Sequence, residues 1–278
     1  MIDIDTVTED ILRALCLSPE MEEIQRIQTA HRLRLIDSWQ IAPGSRILEI
    51  GCGQGDTTAA LAAVAGENGF VHAIDPAPGD YGAPFTLAQA REHILDSSLG
   101  SRIRMDFDCS IFDLSDDTPV FDYAVLSHCL WYFASHEELL AVLKKLRPLC
   151  RRLCIAEWDV SHCLPEQRTH RSAALIQAAC AAYCETDGNI HTLFYPEDII
   201  SAVKEAGFTG ISIDRVFPPK LQDGVWEVYN ALADCPEMIG KSDMPEKLKD
   251  ILRSELELLK EKRGKKIRPL SVFTLTAE

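Results

Sequence analysis

The segment ILEIGCGQGDTT, residues 47 to 58, constrains this chain more than any other, because three glycines occupy every second position directly after an apolar run. An apolar run followed by TTAALAAVA predicts a buried strand that turns sharply into a helix. Gly51, Gly53 and Gly55 permit positive φ angles and let a ligand approach the backbone without meeting a Cβ atom. The first N–H groups of the helix point into the same space. We therefore predict a ligand site at this turn.

Short apolar runs and helix-like segments alternate along the rest of the chain. The predicted strands are 46–50, 70–74, 102–107, 121–126, 152–157, 209–217 and the final run within 268–278. Such alternation is typical of βαβ units, in which helices cover both faces of a parallel sheet. The sequence predicts an α/β fold, a three-layer sandwich with a mostly parallel seven-stranded sheet whose last strand is antiparallel.

The chain is expected to form a single domain with additions. The predicted parts are N-terminal helices at 7–39, a core at about 40–157, 196–217 and 268–278, and helical insertions at about 158–195 and 218–267. Helical spacing is clearest at 165–185 and 245–263, each of which begins at a proline. We expect the two insertions to form a cap or lid that excludes water.

Composition argues against several classes of partner. The formal net charge of −15 would repel a polyanion, so no nucleic acid partner is expected. No segment reaches the roughly 18 apolar residues of a membrane span, and the acidic start MIDIDTVTED has no secretory signal, so we expect no membrane partner and a cytoplasmic location. The ten cysteines include no CxxC pair, and we expect reduced thiols and no metal site.

The residues around the glycines narrow the choice of ligand class. The spacing is GxGxG rather than the dinucleotide pattern GxGxxG, because Asp56 stands at the third glycine position. Glu49 precedes the glycines and Asp75 ends the next predicted strand, so a pyrophosphate would face nearby carboxylates. A ligand that carries an amine and a sulfonium cation suits this environment better.

With these motifs the chain resembles the class I S-adenosylmethionine-dependent methyltransferases, whose first motif is an acidic residue followed by GxGxG after strand one. The resemblance covers about residues 22 to 215. It implies S-adenosyl-L-methionine as the cofactor, with S-adenosyl-L-homocysteine as the product and Asp75 on the ribose hydroxyls. The residues that the resemblance places at the cofactor are Arg32, Glu49, Gly51, Cys52, Gly53, Gly55, Asp75, Ser127 and His128. Asp108, Cys109 and Ser110, after the third predicted strand, are alternative candidates for the contact to the adenine amine.

Candidate catalytic residues follow the predicted fourth and fifth strands. Methyl transfer from a sulfonium is an in-line displacement, for which alignment can supply most of the rate advantage. A hydroxyl acceptor of high pKa would benefit from a base, and His128 is the first candidate and His162 the second. Trp131 is a candidate substrate contact in the aromatic run that follows His128. A packing or surface role explains each of these three residues as well.

The leading hypothesis is methyl transfer to a small molecule, at oxygen or nitrogen, by a monomer or homodimer. A nucleic-acid methyltransferase is disfavoured by the net charge and by SHCL at 127–130, where an NPPY-type tetrapeptide would stand. An S-adenosylmethionine-binding protein or a non-methylating enzyme on the same fold is an alternative from another class. A nicotinamide-dependent oxidoreductase is a further one. The sequence leaves the acceptor open.

Overall fold

The chain forms a single seven-stranded sheet in a computed structural model that describes residues 4–115, 117–218 and 220–278. The strands are β1 Arg46–Ile50, β2 Phe70–Ile74, β3 Ile103–Asp106, β4 Phe121–Ser127, β5 Cys150–Trp158, β6 Ser212–Val216 and β7 Val272–Ala277. Their order is β3-β2-β1-β4-β5-β7-β6. The strands β1 to β5 pair in parallel, whereas β7 is antiparallel to both β5 and β6. The predicted α/β fold is confirmed.

Helices cover both faces of the sheet. They are α1 Ile4–Ala14, α2 Glu22–Trp39, α3 Asp56–Ala65, α4 Leu87–Leu95, α5 His136–Leu146, α6 Arg168–Ala181, α7 Pro196–Glu205, α8 Asp223–Lys241 and α9 Glu246–Lys260. Successive strand residues point to opposite faces, so Ile47 belongs to one buried apolar cluster and Leu48 to the other. The first cluster includes residues of α1, α2 and α3, and the second includes residues of α5 and α7.

The order of the strands reverses between β1 and β4. β1 pairs with β2 on one side and with β4 on the other, although β4 is reached only after β3. In open α/β sheets, the loops that leave two such strands diverge and open a crevice at their carboxyl ends. The glycine segment after β1 and the loop after β4 border this crevice.

A third apolar cluster lies among the helices outside the sheet. α6 follows β5, and α8 and α9 lie between β6 and β7. Residues of these three helices pack on one another, including Ile176, Val228 and Leu256. α8 was not identified from the sequence, and it contains Pro236. None of the helices in the described ranges combines the length and hydropathy that a bilayer span requires.

Candidate functional site

The glycine segment forms a tight bend that is fixed to the neighbouring strand. The N–H groups of Gly51 and Cys52 donate to Ile74 O at 2.9 and 3.3 Å, which joins the bend to the carboxyl end of β2. The N–H of Gly55 donates to Cys52 O at 2.9 Å, and α3 begins at the next residue. The predicted passage from strand to bend to helix is therefore present.

Two of the glycines are required for different reasons. A Cβ atom at Gly51, where φ is 71°, would lie 2.7 Å from Cys129 Cβ. Such a contact is too short for any side chain, so the loop after β4 can approach the bend only at a glycine. At Gly53 φ is 51°, and a Cβ atom there would meet no heavy atom within 4 Å. Gly53 therefore faces open space in the crevice.

Asp75 connects the bend to the end of β2. Its Oδ2 accepts the N–H of Gly53 at 2.8 Å, and its Oδ1 accepts the N–H of Ala77 at 2.9 Å. The side chain is nearly buried, with 9% of its surface exposed. Because each carboxylate oxygen has two lone pairs, each keeps one for a further hydroxyl donor. This arrangement suits a ligand with two neighbouring hydroxyl groups.

The loop after β3 lies beside Asp75. The N–H of Cys109 donates to Asp75 O at 3.0 Å, and the N–H of Asp108 donates to Ala77 O at 3.1 Å. Asp108 is exposed and has a φ of 51°. Ser110 is engaged locally, because its Oγ donates to Asp113 Oδ2 at 2.7 Å. Among the three candidates for the adenine contact, Ser110 therefore has no hydroxyl proton left to donate.

Glu49 differs in charge from the expectation. Its side chain is 2% exposed, and Thr58 Oγ1 donates to its Oε2 at 2.6 Å. Burial raises the pKa of Glu49 to about 8, which favours the neutral form of this carboxyl group at pH 7. Burial also raises the pKa of the Cys52 thiol. The carboxyl groups that face the bend through hydrogen bonds or ion pairs are therefore those of Asp56 and Asp75, whereas that of Glu49 lies buried beneath it.

Helix α2 crosses the crevice and is bonded to both of its sides. Arg32 Nη2 lies 3.8 Å from Asp56 Oδ2 at the start of α3, and Arg32 Nη1 donates to Gln28 Oε1 at 3.1 Å. Gln25 Nε2 also donates to Asp56 Oδ1. On the other side, Gln28 Nε2 donates to Asp223 Oδ2 at 2.9 Å at the start of α8. The predicted cofactor residue Arg32 is thus held over the glycine bend.

His128 lies on the opposite wall, directly after β4. It has a φ of 53°, a strained conformation for a residue other than glycine that is typical of functional sites. Its Nε2 lies 3.2 Å from His31 Nε2, and its Nδ1 lies 3.6 Å from Glu157 Oε1. The side chain of Glu157 is 1% exposed, and its Oε2 accepts the N–H of Leu130 at 2.9 Å. Burial lowers the pKa of His31 well below its usual value.

A row of aromatic rings continues from His128 away from the bend. The Trp158 ring centroid lies 4.7 Å from that of His128 and 5.2 Å from that of His170. The His170 ring in turn lies 6.3 Å from that of Trp131. Trp131, the predicted substrate contact, is 4% exposed, and its Nε1 has no hydrogen-bond partner among the described residues.

The structure separates the two candidate bases. His128 lies in the crevice, whereas His162 is exposed in the turn after β5, where its backbone N–H donates to Asp159 Oδ1 at 3.0 Å. His31 and His170 were not assigned from the sequence. His31 follows Gln28 and precedes Arg32 on one helix, a spacing that could have indicated it. His170 lies in an alanine-rich helix with no such pattern.

Two surface cavities lie elsewhere. One of about 490 Å³ is bordered by Gly44, Asp122 and Arg152, at the amino ends of the strands, opposite to the glycine bend. Another of about 480 Å³ is bordered by Tyr183 and His191. Neither cavity includes the strained or unpartnered groups described above. Among the described residues there is also no group of three or more His, Cys, Asp or Glu side chains that could hold a metal ion. The crevice beside β1 and β4 therefore remains the candidate site.

Comparison with known proteins gives matches to methyltransferases. A family model described as a methyltransferase domain matches residues 48–153. Methyltransferase phomM' from Diaporthe leptostromiformis is 33% identical over 153 residues, which is 48% of this chain and 40% of that relative. Methyltransferase phomM from the same organism is 32% identical over 153 residues, with the same two coverages. The chain thus spans well under half the length of these curated relatives.

Two solved structures extend the likeness over the whole chain. A cyclopropane-fatty-acyl-phospholipid synthase-like protein from Lactobacillus casei has a TM-score of 0.86 and 35% identity, with 99% of this chain and 98% of that chain covered. The [4+2]-cyclase SpnF has a TM-score of 0.52 and 13% identity, with 90% of this chain and 82% of that chain covered, and it shares the fold. The seven-stranded sheet, the glycine bend and these matches show that the chain belongs to the class I S-adenosylmethionine-dependent methyltransferases.

Proposed function

We propose that this chain transfers a methyl group from S-adenosyl-L-methionine to a small-molecule acceptor, at oxygen or nitrogen, and releases S-adenosyl-L-homocysteine. One observation carries the proposal. Open space beside Gly53 lies next to the carboxylate of Asp75, and His128 stands on the other wall of the same crevice. A glycine cradle, a sugar-binding acid and a histidine are thus brought together at the point where the strand order reverses.

The residues present fit this cofactor. The remaining lone pairs of Asp75 can accept the two ribose hydroxyls, and the absence of a side chain at Gly53 leaves room for the amino-acid tail. Arg32 supplies a guanidinium for the methionine carboxylate, in competition with Asp56. Ser127 Oγ is buried and without a partner in the described structure, so it is available as a further polar contact. When bound, the cofactor supplies an electrophilic methyl group on its sulfonium.

We assign the role of base to His128 rather than to exposed His162. Glu157 Oε1 lies 3.6 Å from His128 Nδ1, too far for a hydrogen bond, and Nδ1 has no hydrogen-bond partner among the described residues. We propose the tautomer with the proton on Nδ1, the side that faces the Glu157 carboxyl group, and the lone pair on Nε2. That lone pair can take the proton of an acceptor hydroxyl during the displacement. His31 occupies Nε2 in the structure described here, so the acceptor must replace His31 as the partner of His128.

The insertions are proposed to act as the cap. α6 contributes His170 to the aromatic row, and α8 meets α2 through the bond between Gln28 and Asp223. A closed cap would exclude water from the crevice, which strengthens the electrostatic interactions inside it. The net charge of −15 supports a small acceptor over a nucleic acid.

Calorimetry and product analysis test the proposal together. We expect S-adenosylmethionine and S-adenosylhomocysteine to bind to the purified chain with micromolar affinity, and NADH not to compete. Incubation of the chain with S-adenosylmethionine and fractionated small-molecule extracts should then yield S-adenosylhomocysteine and a product heavier by one methyl group. Binding without turnover on any fraction would favour a binding protein or a non-methylating enzyme. Loss of binding to both compounds would overturn the proposal altogether.

A further inference from the structure

At the far end of the aromatic row, one indole nitrogen and one imidazole nitrogen are buried without a hydrogen-bond partner. Trp131 Nε1 and His170 Nε2 each lack a hydrogen-bond partner among the described residues, and their rings lie 6.3 Å apart in an edge-on arrangement. His170 is 0% exposed and Trp131 is 4% exposed. Buried polar groups are paired in the great majority of cases, so two unpaired nitrogens on adjacent rings of the row that begins at His128 are positions where a ligand atom would be stabilised.

The hydrogen bond on the other side of His170 fixes its tautomer. The N–H of Leu270 donates to His170 Nδ1 at 2.9 Å, so Nδ1 must carry a lone pair. Burial lowers the pKa of His170 to about 3, and the imidazole is therefore neutral at physiological pH. A neutral imidazole that accepts at Nδ1 carries its proton on Nε2. His170 Nε2 and Trp131 Nε1 are thus both N–H donors.

Neither donor can easily turn to a protein acceptor. Gln167, directly before α6, donates from Nε2 to Pro269 O at 2.9 Å. This bond joins α6 to the segment whose Leu270 N–H binds His170. A Cβ atom at Gly224 would lie 3.3 Å from His170 Cβ, so α8 packs closely against this side of the ring. Trp131 is fixed through its backbone, because its carbonyl accepts the N–H groups of His191 and Thr192 at 2.8 and 3.2 Å. Both rings are also buried, which limits their rotation before any ligand arrives.

The charged side chains around the two N–H donors determine which kind of acceptor atom these donors can bind. Glu157, buried at the end of β5 next to Trp158, would repel an anionic oxygen. The arginines near this segment point elsewhere: Arg171 Nε donates to Val160 O at 2.8 Å, Arg215 Nε pairs with Asp159 Oδ2 at 2.7 Å, Arg268 pairs with Glu166 and Arg168 is exposed. Burial of an anion without a cation is costly, whereas an uncharged carbonyl oxygen needs only the two N–H donors.

We propose that Trp131 and His170 form a specificity site that binds an uncharged carbonyl oxygen of the methyl acceptor. This inference rests on the proposed function, because it assigns the acceptor a place beyond Trp158, one ring away from His128. The flanking aromatic rings favour an acceptor whose carbonyl is attached to a planar or apolar group. The substrate class is thus a neutral carbonyl compound with a nucleophilic oxygen or nitrogen elsewhere in the molecule.

Matched probes test the site on protein saturated with S-adenosylhomocysteine. Acetophenone and ethylbenzene have nearly the same shape and differ in the carbonyl oxygen, and benzoate adds a negative charge. The four tryptophans of the chain give few indole resonances, which Trp→Phe variants can assign. We expect acetophenone to shift the Trp131 indole N–H signal and to bind about 10-fold more tightly than ethylbenzene or benzoate. Nitrogen-15 shifts of His170 should report a protonated Nε2.

Variants remove one donor at a time. Trp131→Phe and His170→Phe keep an aromatic ring and should each abolish most of the preference for acetophenone over ethylbenzene. Trp39→Phe is the matched control, because Trp39 Nε1 is also buried and without a partner but belongs to the core cluster beneath α2. Equal binding of the three probes, binding of none of them, or an unchanged preference in both variants would overturn the inference. Failure of S-adenosylhomocysteine to bind would instead refute the proposed function.

Discussion

His31 Nε2 lies 3.2 Å from His128 Nε2, and this contact joins α2 to the loop after β4 across the crevice. Only one of the two nitrogens can carry the shared proton. If His128 carries its proton on Nδ1, the side that faces Glu157 Oε1 at 3.6 Å, then His31 is the donor. Burial keeps His31 neutral by lowering its pKa. The lone pair of His128 is therefore presented to the helix that covers the site.

The two histidines should differ in their kinetic effects. His128→Ala is expected to lower turnover about 100-fold, because the proton acceptor is lost, while the dissociation constant of S-adenosylmethionine changes little. His31→Phe is expected to leave turnover largely intact, since His31 only occupies the lone pair before the acceptor binds. Initial rates of S-adenosylhomocysteine formation with an acceptor identified from the extracts would measure both effects. An unchanged rate in His128→Ala would mean that His128 only packs in the site and is not the base.

Gly53→Asp should abolish cofactor binding while the fold persists. The new side chain would enter the open space at the bend and bring a negative charge close to Asp75. Gly210→Asp is the matched control, because Gly210 also has a positive φ, 60°, and open space around it, but lies in the turn before β6. Both changes carry a similar backbone strain of about 1 kcal/mol. Calorimetry should show a loss of more than about 100-fold only for Gly53→Asp. Comparable losses in both variants would argue against the site.

Asp75→Asn tests the sugar-binding acid. An amide has one acceptor oxygen in place of two, so the variant must leave either the Gly53 N–H or the Ala77 N–H without its partner. We expect a fall in stability of about 1 to 3 kcal/mol and at least a 10-fold loss of cofactor affinity. Asp122→Asn makes the same change at the amino end of β4, where Asp122 Oδ2 accepts the N–H of Arg46 at 2.9 Å. The Asp122→Asn control should bind the cofactor with full affinity. Equal cofactor affinity in the two variants would exclude a role for Asp75 in binding the ribose.

Glu49 should make stability depend on pH. Its folded pKa, about 8, lies above the ordinary value of 4.5, so the folded state binds more protons than the unfolded state between these limits. The contribution is fully present below about pH 4.5 and is lost as the pH rises through about 8. In urea unfolding, wild type should therefore lose on the order of a few kcal/mol between pH 5 and pH 9 relative to Glu49→Gln. Parallel pH profiles for the two proteins would contradict this assignment.

The sequence specified the sheet and the glycine bend because both depend on local patterns. Alternation of apolar runs with helices predicted all seven strands, and the spacing of Gly51, Gly53 and Gly55 predicted the turn. Helix α8 was missed because Pro236 removes a backbone hydrogen bond and usually ends a helix. Burial of Val228 and Ile239 against α6 and α9 offsets that cost. Only the tertiary packing of α8 reveals this compensation.

The site was predicted more completely where its residues follow strands than where they lie on helices, on which Arg32 was predicted but His31 and His170 were given no role. Asp75 and His128 stand at strand ends, so parallel pairing brings them to one edge. His31 and His170 join the strand residues only because α2 and α6 fold over the sheet. The spacing from Gln28 to Arg32 indicates the helix face of His31, whereas no local pattern indicates His170. The neutral state of Glu49 was also missed, since it depends on complete burial beneath the bend.

The bond between Gln28 and Asp223 links the N-terminal helix α2 to α8 of the second insertion, across 195 residues of chain. The same helix α2 contacts Asp56 at the glycine bend and His128 on the opposite wall. A displacement of α8 would therefore be transmitted to the helix that covers the site. If the acceptor enters by moving α2 away from His128, the insertion would move with it, and this coupled motion would contribute to the rate of turnover.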